Sequence, residues 1–495
     1  MQSKYDISII GSGLGGLTCG YILSKNGYKV AIFEQGAQFG GCLQTFKRRG
    51  VKFETGVHYV GSMDEGQTLD IFFHYLSLFP DVKVLPLDPA GFDVVSFRGE
   101  QYQFASGYEN FVETLAKKFP HEYENLKRYA TALQAVAHSS PYHSANDPLE
   151  PFQFSSSYAT TSVNDFIASH TSNETLQNVL VGMLPLYAGV KDKTPMHIHA
   201  FINDANISGA YRIMGGSDRI ASSLINSIRA FGGEVFASSK VRKILCDNVK
   251  ATGIMLENGT CIASNHIISN THPEVMLDML DTGIIRPAYR NRIRQMEQTI
   301  GNFTVYLKFK ENTVPYMNSN YYHYNGSQVW DGENCAEQNW PHGYMYMHLC
   351  PEQASQYAQA GEVLTIMRYE ELAEWAGTEV ERRGEAYKEF KQRKAEIVLE
   401  QLERDFPGTL ANVEAYYTST PLSYQNYTGT KNGAAYGILR DINASRIVHR
   451  TRIPNLYLTG QNTNAHGIMG VMVGALITCS EFIERDYLWA QIKKG

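Results

Sequence analysis

The chain has 495 residues and a formal net charge of −6, from 44 Lys and Arg against 50 Asp and Glu. This length provides for roughly two to four domains with buried cores. Only 19% of the residues are charged and 43% are hydrophobic, which excludes a disordered protein, and the mildly negative charge argues against a nucleic-acid partner. The 42 Gly and 31 Tyr indicate close backbone approach to a ligand and large apolar surfaces with polar groups.

The chain opens with a strand over Tyr5–Ile10, a glycine turn, a helix over Leu17–Asn26 and a second strand over Lys29–Phe33. Residues 140–165 are rich in Ser, Pro and Tyr and are predicted to form a loop-dominated insertion. Further helices are predicted over residues 69–79, 108–138, 217–230, 378–404 and 470–487. Further strands are predicted over residues 234–236, 241–247, 251–256, 260–263, 266–269, 303–309, 344–349 and 456–459.

This order of elements predicts an α/β fold with two interleaved domains. We assign residues 1–62, 206–300 and 451–495 to a Rossmann-type nucleotide-binding domain that is discontinuous in sequence. Residues 63–205 and 301–450 are assigned to an α+β domain that binds the substrate and forms the other face of the active site.

Cysteine usage and hydropathy bear on the compartment. The seven cysteines are scattered and form no CxxC pair, which argues against a disulfide scaffold and against a metal site. The apolar segment over residues 7–23 carries glycines at dinucleotide-binding spacing, unlike a signal peptide, and the segment over 467–479 is shorter than the ~20 residues that span a bilayer. We therefore predict a cytoplasmic protein without a transmembrane segment, and peripheral contact with a membrane stays open.

A GxGxxG motif follows the first strand and opens the first helix. Its first glycine allows a tight turn, its second lets the backbone approach a pyrophosphate, and its third lets helix and strand pack closely. Glu34 lies 18 residues after Gly16, at the end of the second strand, where a carboxylate can accept both ribose hydroxyls. With strand, helix and terminal Glu in place, the motif predicts a dinucleotide site. The motif residues are Gly11, Ser12, Gly13, Leu14, Gly15 and Gly16.

Two further glycine-rich segments favour FAD over NAD. Gly40 and Gly41 let backbone pass beneath a bound cofactor, which a simple NAD site does not need. Residues 456–461 form a strand that runs into a loop, and a helix opened by glycines follows at Gly467–Met472. A second helix N-terminus suits the electron-rich edge of a reduced flavin.

Four segments resemble the retinol saturase and carotenoid isomerase branch of the phytoene-desaturase-like flavoproteins. They are GGCLQTF (40–46), FETGVHYVG (53–61), TPLSYQNYTGTKNGAAYGI (420–438) and NLYLTGQNTNAHGIMGVMVGAL (455–476). The resemblance covers the whole chain. It implies an FAD-dependent enzyme with the two-domain fold of amine oxidases and phytoene desaturases.

The resemblance also assigns cofactor-binding residues. Val241 is expected to meet the adenine through its backbone. The ADP half and the ribityl region are assigned to Gly11, Gly13, Leu14, Gly16, Glu34, Gln35, Gly41, Cys42 and Thr45. The ribityl chain and the flavin ring are assigned to Gly460, Gln461, Gly470, Val471 and Met472. Many relatives carry an acid just after the glycine at 460, whereas Gln461 and Asn462 are neutral here.

The implied reaction is saturation or redox-neutral cis/trans isomerisation of a double bond in a long polyene, isoprenoid or unsaturated lipid. Two other enzymes stay open, a carotenoid-type desaturase and an amine oxidase. A non-catalytic prenyl-lipid carrier resembling Rab GDP-dissociation inhibitors is disfavoured by the intact GxGxxG and Glu34. Because the sequence has no second GxGxxG, an external electron donor or the substrate itself must supply the electrons. The oligomeric state is not predicted.

On the substrate side, His58 and Tyr59 are the candidate catalytic residues, because FETGVHYVG is expected to pass near the flavin. A histidine there can protonate a carbon, and packing against backbone is the alternative role. Alternating aromatic residues over 321–324 and 344–348 predict the wall of a lipophilic tunnel. The pair His197 and His199 lacks a nearby acid or cysteine and is interpreted as structural.

Overall fold

The computed structural model describes residues 1–140, 156–281, 283–334, 337–353 and 355–494. Most of the predicted insertion over 140–165 therefore lies outside the described residues.

The strands, in chain order, are β1 Lys4–Ile10, β2 Val30–Phe33, β3 Thr45–Arg48, β4 Val51–Glu54, β5 Val84–Pro86, β6 Asp93–Phe97, β7 Glu100–Phe104, β8 Tyr211–Ile213, β9 Glu234–Phe236, β10 Val241–Cys246, β11 Ala251–Leu256, β12 Cys261–Ser269, β13 Gly301–Phe309, β14 Asn320–Tyr324, β15 Gly343–His348, β16 Ala360–Met367, β17 Val413–Ser419 and β18 Leu456–Leu458. The α-helices are α1 Leu14–Lys25, α2 Thr68–Tyr75, α3 Tyr108–Lys118, α4 Tyr123–His138, α5 Ser156–Thr160, α6 Val163–Ala168, α7 Glu174–Leu180, α8 Met196–Ser208, α9 Asp218–Ala230, α10 Pro273–Asp278, α11 Pro287–Arg294, α12 Gly384–Asp405, α13 Pro421–Thr428, α14 Gly467–Cys479 and α15 Arg485–Lys493. Short 3₁₀ helices lie at Gly41–Leu43, Pro120–Glu122, Leu184–Leu186, Val329–Asn334, Glu337–Asn339, Tyr369–Trp375, Leu410–Asn412 and Lys431–Gly433.

The first of two seven-stranded sheets has the order β10-β11-β12-β1-β2-β9, with β18 also paired to β12. Strands β12, β1, β2, β9 and β18 run parallel, and β10 and β11 add an antiparallel hairpin. β12 is one continuous strand, although two strands were predicted at 260–263 and 266–269. Its first residues pair with β11 and its last residues pair with β18, which explains the two separate patterns.

The carboxyl ends of the parallel strands lie at one edge of this sheet, where α/β folds bind their ligands. Helices α1, α9 and α14 pack with the sheet in a shared apolar core. The buried residues of β1 and β2 are almost all aliphatic or aromatic, as expected for strands covered on both faces.

The second sheet has the order β17-β13-β16-β15-β14-β6-β7. It is antiparallel except for the parallel pair β14 and β6. One face packs on the long helix α12, and the other packs on helices that include α3, α4, α7 and α8. The period of two along β14 sends Tyr322 to the face with α3 and α4, and Tyr321 to the face with α12.

Three predicted helices differ from the observed ones. The helix predicted over 108–138 breaks at Pro120 into α3 and α4, because proline lacks the N–H that a continuing helix needs. The helix predicted over 470–487 is two helices, α14 and α15, and the Glu484 carboxylate caps the second by accepting from the Asp486 and Tyr487 N–H groups. The helix predicted from residue 378 begins only at Gly384, whose φ of +79° interrupts the chain before it.

The predicted loop over 140–165 contains helical structure where it is described. α5 occupies its end, and α6 begins at Val163 because Ser162 caps it by accepting from the Asp165 N–H. Among the described residues, no helix combines the length and the apolar character needed to cross a bilayer.

Candidate active site

A cavity of about 1330 Å³ lies between the two sheets. The first sheet contributes Ile10 and Phe33 at the carboxyl ends of β1 and β2, and the second contributes Asn302, Met345 and Thr365. The volume exceeds the ~300–1,000 Å³ of ordinary small-molecule pockets. The cavity therefore has room for a dinucleotide and a second molecule beside it.

Most of the predicted site residues lie on the wall of this cavity. They are Gly11, Gly13, Leu14, Gly15, Glu34, Gln35, Gly41, Cys42, His58, Tyr59, Val241, Gly460, Gln461, Gly470 and Val471. Segments that are more than 400 residues apart in the chain are thus brought together at one edge of the first sheet.

Four predicted residues lie behind the wall and support it. Ser12 is fully buried, and its Oγ accepts from the Gly40 N–H at 3.2 Å. A Cβ at Gly16 would lie 2.2 Å from the Gly11 carbonyl oxygen, so this position permits the contact between α1 and the turn before it. Thr45 is buried in β3, and Met472 is fully buried in α14.

The start of α1 has the features of a phosphate site. Gly13 is its N-cap, and no side chain caps the free N–H groups of the first turn. Gly41 adopts φ of +57°, and a Cβ there would lie 3.1 Å from the Gly13 Cα, so the two loops approach as bare backbone. Free N–H donors, the positive end of a helix dipole and the absence of side chains fit a pyrophosphate.

Glu34 is held in place by the glycine loop itself. Its Oε2 accepts from the N–H and the Oγ of Ser12, at 2.9 and 2.7 Å, and its Oε1 accepts from the Gly36 N–H at 2.8 Å. An ionised carboxylate can accept about four hydrogen bonds, so these contacts leave capacity for a ribose hydroxyl. The sequence predicted the ligand-facing role of Glu34 but not its contact with Ser12.

Asn270 is a central residue of this region that the sequence prediction missed. A Cβ at Gly13, Gly15 or Gly460 would lie 2.9, 2.7 or 2.5 Å from the amide group of Asn270. Its side chain therefore fills the space between the two glycine loops and explains why these positions lack side chains. The available signal was its position directly after β12, at the carboxyl end of a parallel strand next to β1.

A second helix N-terminus faces the cavity at α14. His466 is its N-cap without a side-chain cap, and Gly467 and Gly470 of its first turn line the cavity. The Nε2 of His466 is buried with no hydrogen-bond partner among the described residues, and burial lowers the pKa of His466 to about 3. An orphaned polar atom beside free N–H groups fits the polar edge of a flavin.

Arg440 also lines the cavity and was not predicted. Its guanidinium donates to the Gln461 carbonyl at 2.7 Å and to the Asn462 carbonyl at 3.3 Å. Burial, and then the charge of Arg446, lower the pKa of Arg440 to about 10. A buried cation thus holds the loop that follows β18.

His58 reaches the cavity from the segment after β4. Its Nδ1 lies 3.2 Å from Oε2 of Glu362, a fully buried residue of β16. Its carbonyl accepts from the Arg212 guanidinium at 3.5 Å. The ring is therefore anchored on one side by a carboxylate and is open to the cavity on the other.

Tyr59 takes part in a buried polar network. Its hydroxyl donates to Asp93 at 2.8 Å and lies 2.8 Å from the Tyr322 hydroxyl. Asn320 donates to the same carboxylate at 2.7 Å. Burial raises the pKa of Asp93 to about 7 and the pKa of Tyr59 well above its usual value. Burial therefore keeps the Tyr59 hydroxyl protonated near neutral pH, and the hydroxyl is held between Asp93 and Tyr322.

The predicted aromatic wall is wrong for five of its seven residues, because only Tyr324 and Tyr344 line the cavity. Tyr346 and His348 pack against Phe406 and Phe309 and do not line the cavity. Alternation identifies the faces of a strand but not which face meets the ligand. Aromatic residues that the sequence prediction missed do line it, and they are Tyr424, Tyr427 and Tyr436.

The two histidines of α8 differ in position. His199 is fully buried and lies within hydrogen-bond distance of the hydroxyls of Tyr129 and Tyr187, at 2.7 and 2.9 Å. His197 lines the cavity, and its Nδ1 lies 2.9 Å from the Tyr158 carbonyl.

Comparison with known proteins gives relatives along the whole chain. The chain is 26% identical to human all-trans-retinol 13,14-reductase, over 100% of this chain and 88% of the relative. It is 23% identical to the chloroplastic prolycopene isomerase of Daucus carota, over 98% of this chain and 80% of the relative. These relatives confirm the resemblance drawn from the four sequence segments.

Solved structures share the fold. Putrescine oxidase bound to putrescine matches with a TM-score of 0.66 and 16% identity, over 97% of this chain and 99% of that one. The CLA-producing fatty acid isomerase from P. acnes matches with a TM-score of 0.60 and 14% identity, over 98% and 100%. The predicted α/β fold of the amine-oxidase type is confirmed.

A family model described as flavin-containing amine oxidoreductase matches residues 14–479. That match covers far more than half of the chain, and the glycine cradles and the orphaned His466 fit its cofactor. The chain therefore belongs to the family of flavin-containing amine oxidoreductases, and it is an FAD-dependent oxidoreductase.

Proposed function

We propose that this enzyme reduces a carbon–carbon double bond in a long unsaturated isoprenoid or lipid. The observation that carries the proposal is one cavity whose lining combines the glycine loops, an apolar wall and His58. The apolar wall includes Leu184, Ile198, Phe201 and Leu364. Such a wall suits a hydrocarbon chain better than a small charged amine.

The names of the relatives support this substrate class. All-trans-retinol 13,14-reductase and prolycopene isomerase act, by their names, on conjugated isoprenoids. A diapophytoene desaturase from Methylomonas is 25% identical over 62% of this chain. Saturation is favoured over desaturation because the full-length similarity is to the reductase.

The chemistry divides between cofactor and protein. Bound FAD supplies the two-electron hydride transfer that side chains cannot provide. We assign the cofactor to the predicted residues on the glycine-lined wall, with Ser12, Gly16, Thr45 and Met472 behind it. His58 donates the proton to the second carbon of the double bond, and the closed apolar wall keeps water from the reacting carbons.

Redox-neutral cis/trans isomerisation is the second candidate. It is favoured by the similarity to prolycopene isomerase and by the shared fold with a fatty acid isomerase. The same cavity and the same proton donor serve this reaction, since protonation of one carbon by His58 lets the neighbouring bond rotate, and return of that proton to His58 restores the double bond.

An anaerobic assay tests both candidates. The photoreduced holoenzyme is mixed with a panel of polyene alcohols, carotenes and unsaturated fatty acids, and the flavin absorbance and the products are recorded. Flavin reoxidation with a saturated product supports reduction, and a rearranged product with reduced flavin supports isomerisation. Unchanged flavin and unchanged substrates across the panel would rule out both.

The remaining assignments belong to the same proposal. The division into residues 1–62, 206–300 and 451–495 against 63–205 and 301–450 follows the membership of the two large sheets. We propose an external electron donor that binds transiently, because the sequence carries one GxGxxG motif. We propose a cytoplasmic enzyme that meets its lipophilic substrate at a membrane surface.

A further inference from the structure

Glu362 occupies an unusual position for a carboxylate. It lies in β16, in the otherwise apolar sequence AGEVLTIM, and its side chain has no solvent exposure. Its Oε2 lies 3.2 Å from Nδ1 of His58, and among the described residues neither atom has any other hydrogen-bond partner. The two side chains are therefore paired, with His58 on the cavity wall and Glu362 buried behind it.

A second buried carboxyl group, Glu54, adjoins this pair. The Glu54 N–H donates to Oε1 of Glu362 at 2.9 Å, and the Glu54 carboxyl accepts from the N–H and the Oγ of Ser217. Burial raises the pKa of Glu54 to about 8, the Ser217 contacts oppose this rise, and the nearby Glu362 charge adds to it. Burial therefore favours the protonated, neutral form of Glu54.

The other groups that face Glu362 bring no positive charge. Tyr306 from β13 and Tyr424 from α13 are close enough for its charge to affect them, and burial raises the pKa of both phenols. Arg212 contacts the carbonyl of His58 and directs its other donors to Ser319 and Asn320. Within the described chain, no Lys or Arg nitrogen lies within 4.0 Å of the Glu362 carboxylate.

A buried carboxylate without a cation is costly, and a hydrogen-bonded cation removes most of that cost. Among the described residues, His58 is the group within 4.0 Å of the Glu362 carboxylate that can become a cation. A carboxylate on one ring nitrogen also fixes the orientation of a histidine and leaves the other nitrogen directed away from it.

We propose that Glu362 is a positioning residue that holds His58 as an imidazolium, with Nδ1 toward β16 and Nε2 toward the cavity. The inference rests on the proposed function for its chemical use. In that reaction the Nε2–H bond breaks, its electron pair stays on Nε2, and the proton forms the new C–H bond. Neutral His58 then regains a proton from water before the next turnover, while Glu362 stays ionised throughout.

The test is the charge state of His58 in the holoenzyme labelled with ¹⁵N-histidine. The chain has 15 histidines, and the His58 signals are identified by their loss in His58→Gln. We expect two protonated ring nitrogens on His58 at pH 7 in the wild type and a neutral ring in Glu362→Gln. A neutral His58 in the wild type, or an unchanged imidazolium in Glu362→Gln, would overturn the proposal.

Two further variants separate positioning from folding. Glu362→Asp restores the charge, and we expect it to recover the imidazolium and to turn over faster than Glu362→Gln, whose kcat falls ~10²-fold at nearly constant KM. Asp405→Asn is the matched control, because Asp405 lies 2.9 Å from Nδ1 of His323, which does not line the cavity. It should alter the His323 signals and leave those of His58 unchanged.

The wild-type spectrum decides the proposal even if Glu362→Gln does not fold. It is also independent of substrate. A wild-type imidazolium that depends on Glu362, together with a polyene panel that gives no reaction, would refute the proposed function and leave the charge assignment standing. A neutral His58 in a wild-type enzyme that reduces a polyene would refute the charge assignment and leave the proposed function standing.

Discussion

The cavity has two walls, one formed mainly by main-chain atoms and the other formed mainly by side chains. The wall on the first sheet approaches the ligand through bare backbone, at Gly13, Gly41 and Gly460. The wall on the second sheet and on the segment after β4 presents side chains, including His58, and the buried Glu362 lies behind His58. In the proposed reaction, the backbone wall binds and orients the cofactor, and the side-chain wall supplies the proton and selects the substrate. Variants of the two walls should therefore fail in different ways.

The largest effect is expected at Glu34 on the backbone wall. Glu34→Arg removes three acceptor contacts to Ser12 and Gly36 and places a cation where ribose hydroxyls need an acceptor. We expect the purified variant to be colourless, as measured by the flavin absorbance per chain. Ser12→Ala, which removes only one of these hydrogen bonds, should stay yellow. Full flavin content in Glu34→Arg would contradict the assignment of this residue.

His58 is the corresponding residue on the side-chain wall. His58→Gln should retain FAD and lose ~10²-fold or more in the rate of the single-turnover reduction, because a general acid contributes roughly that much. Flavin content and rate are measured on the same preparation. His74→Gln serves as the control, since the His74 side chain is 53% exposed on α2 and is not part of the cavity wall. A normal rate in His58→Gln would assign proton donation to another group.

Glu54, which is buried behind the side-chain wall, makes the stability of the fold sensitive to pH. Because its folded-state pKa is raised from 4.5 to about 8, the folded state holds this proton more tightly than the unfolded chain. Its contribution to stability is present below pH 4.5 and is lost as the pH rises to about 8. Glu54→Gln should gain on the order of 2 kcal/mol relative to the wild type between pH 5 and pH 8, as measured by denaturant unfolding. Glu257→Gln, at an exposed site with a lowered pKa, should not change this slope, and equal slopes in all three proteins would refute the buried proton.

A smaller effect is expected from a single methyl group on the backbone wall. Gly460→Ala places a Cβ 2.5 Å from Oδ1 of Asn270 at φ of +93°, and we expect FAD affinity to fall ~10-fold, which corresponds to about 1.4 kcal/mol. Gly259→Ala is the matched control, because Gly259 has φ of +85° and open space around its Cβ position. Both variants carry the backbone strain, so only the first should weaken FAD in an equilibrium titration. Equal FAD affinities in the two variants would show that the Asn270 side chain moves to make room for the methyl group.

The backbone wall could be predicted from sequence to a much greater extent than the side-chain wall. Glycine spacing is a local pattern with a specific geometric consequence, and the residue at the end of β2 follows at a fixed distance, so residues 11–16 and Glu34 were found directly. The strands of the first sheet were also found, since buried parallel strands are continuous apolar runs. Asn270 follows such a strand but belongs to no motif, and its role depends on two glycine loops that are far away in the chain.

Side chains that act across long distances in sequence leave weaker patterns. Glu362 lies 304 residues after His58, and only a lone acid in an apolar strand marked it. Arg440 contacts carbonyl oxygens of Gln461 and Asn462, and carbonyl groups carry no sequence pattern at all. The aromatic strand over 344–349 was predicted but β14 was not, and the face that meets the cavity depends on how the second sheet packs.

The stoichiometry of a single turnover tests the proposed reduction most directly. Holoenzyme photoreduced without oxygen is mixed with an excess of the polyene that reoxidises it fastest, with no other electron donor, and product and oxidised flavin are quantified together. We predict about one saturated double bond per flavin oxidised in the wild type, and the same ratio at a much lower rate in His58→Gln. Oxidised flavin without an equivalent amount of saturated product would contradict the proposed reduction.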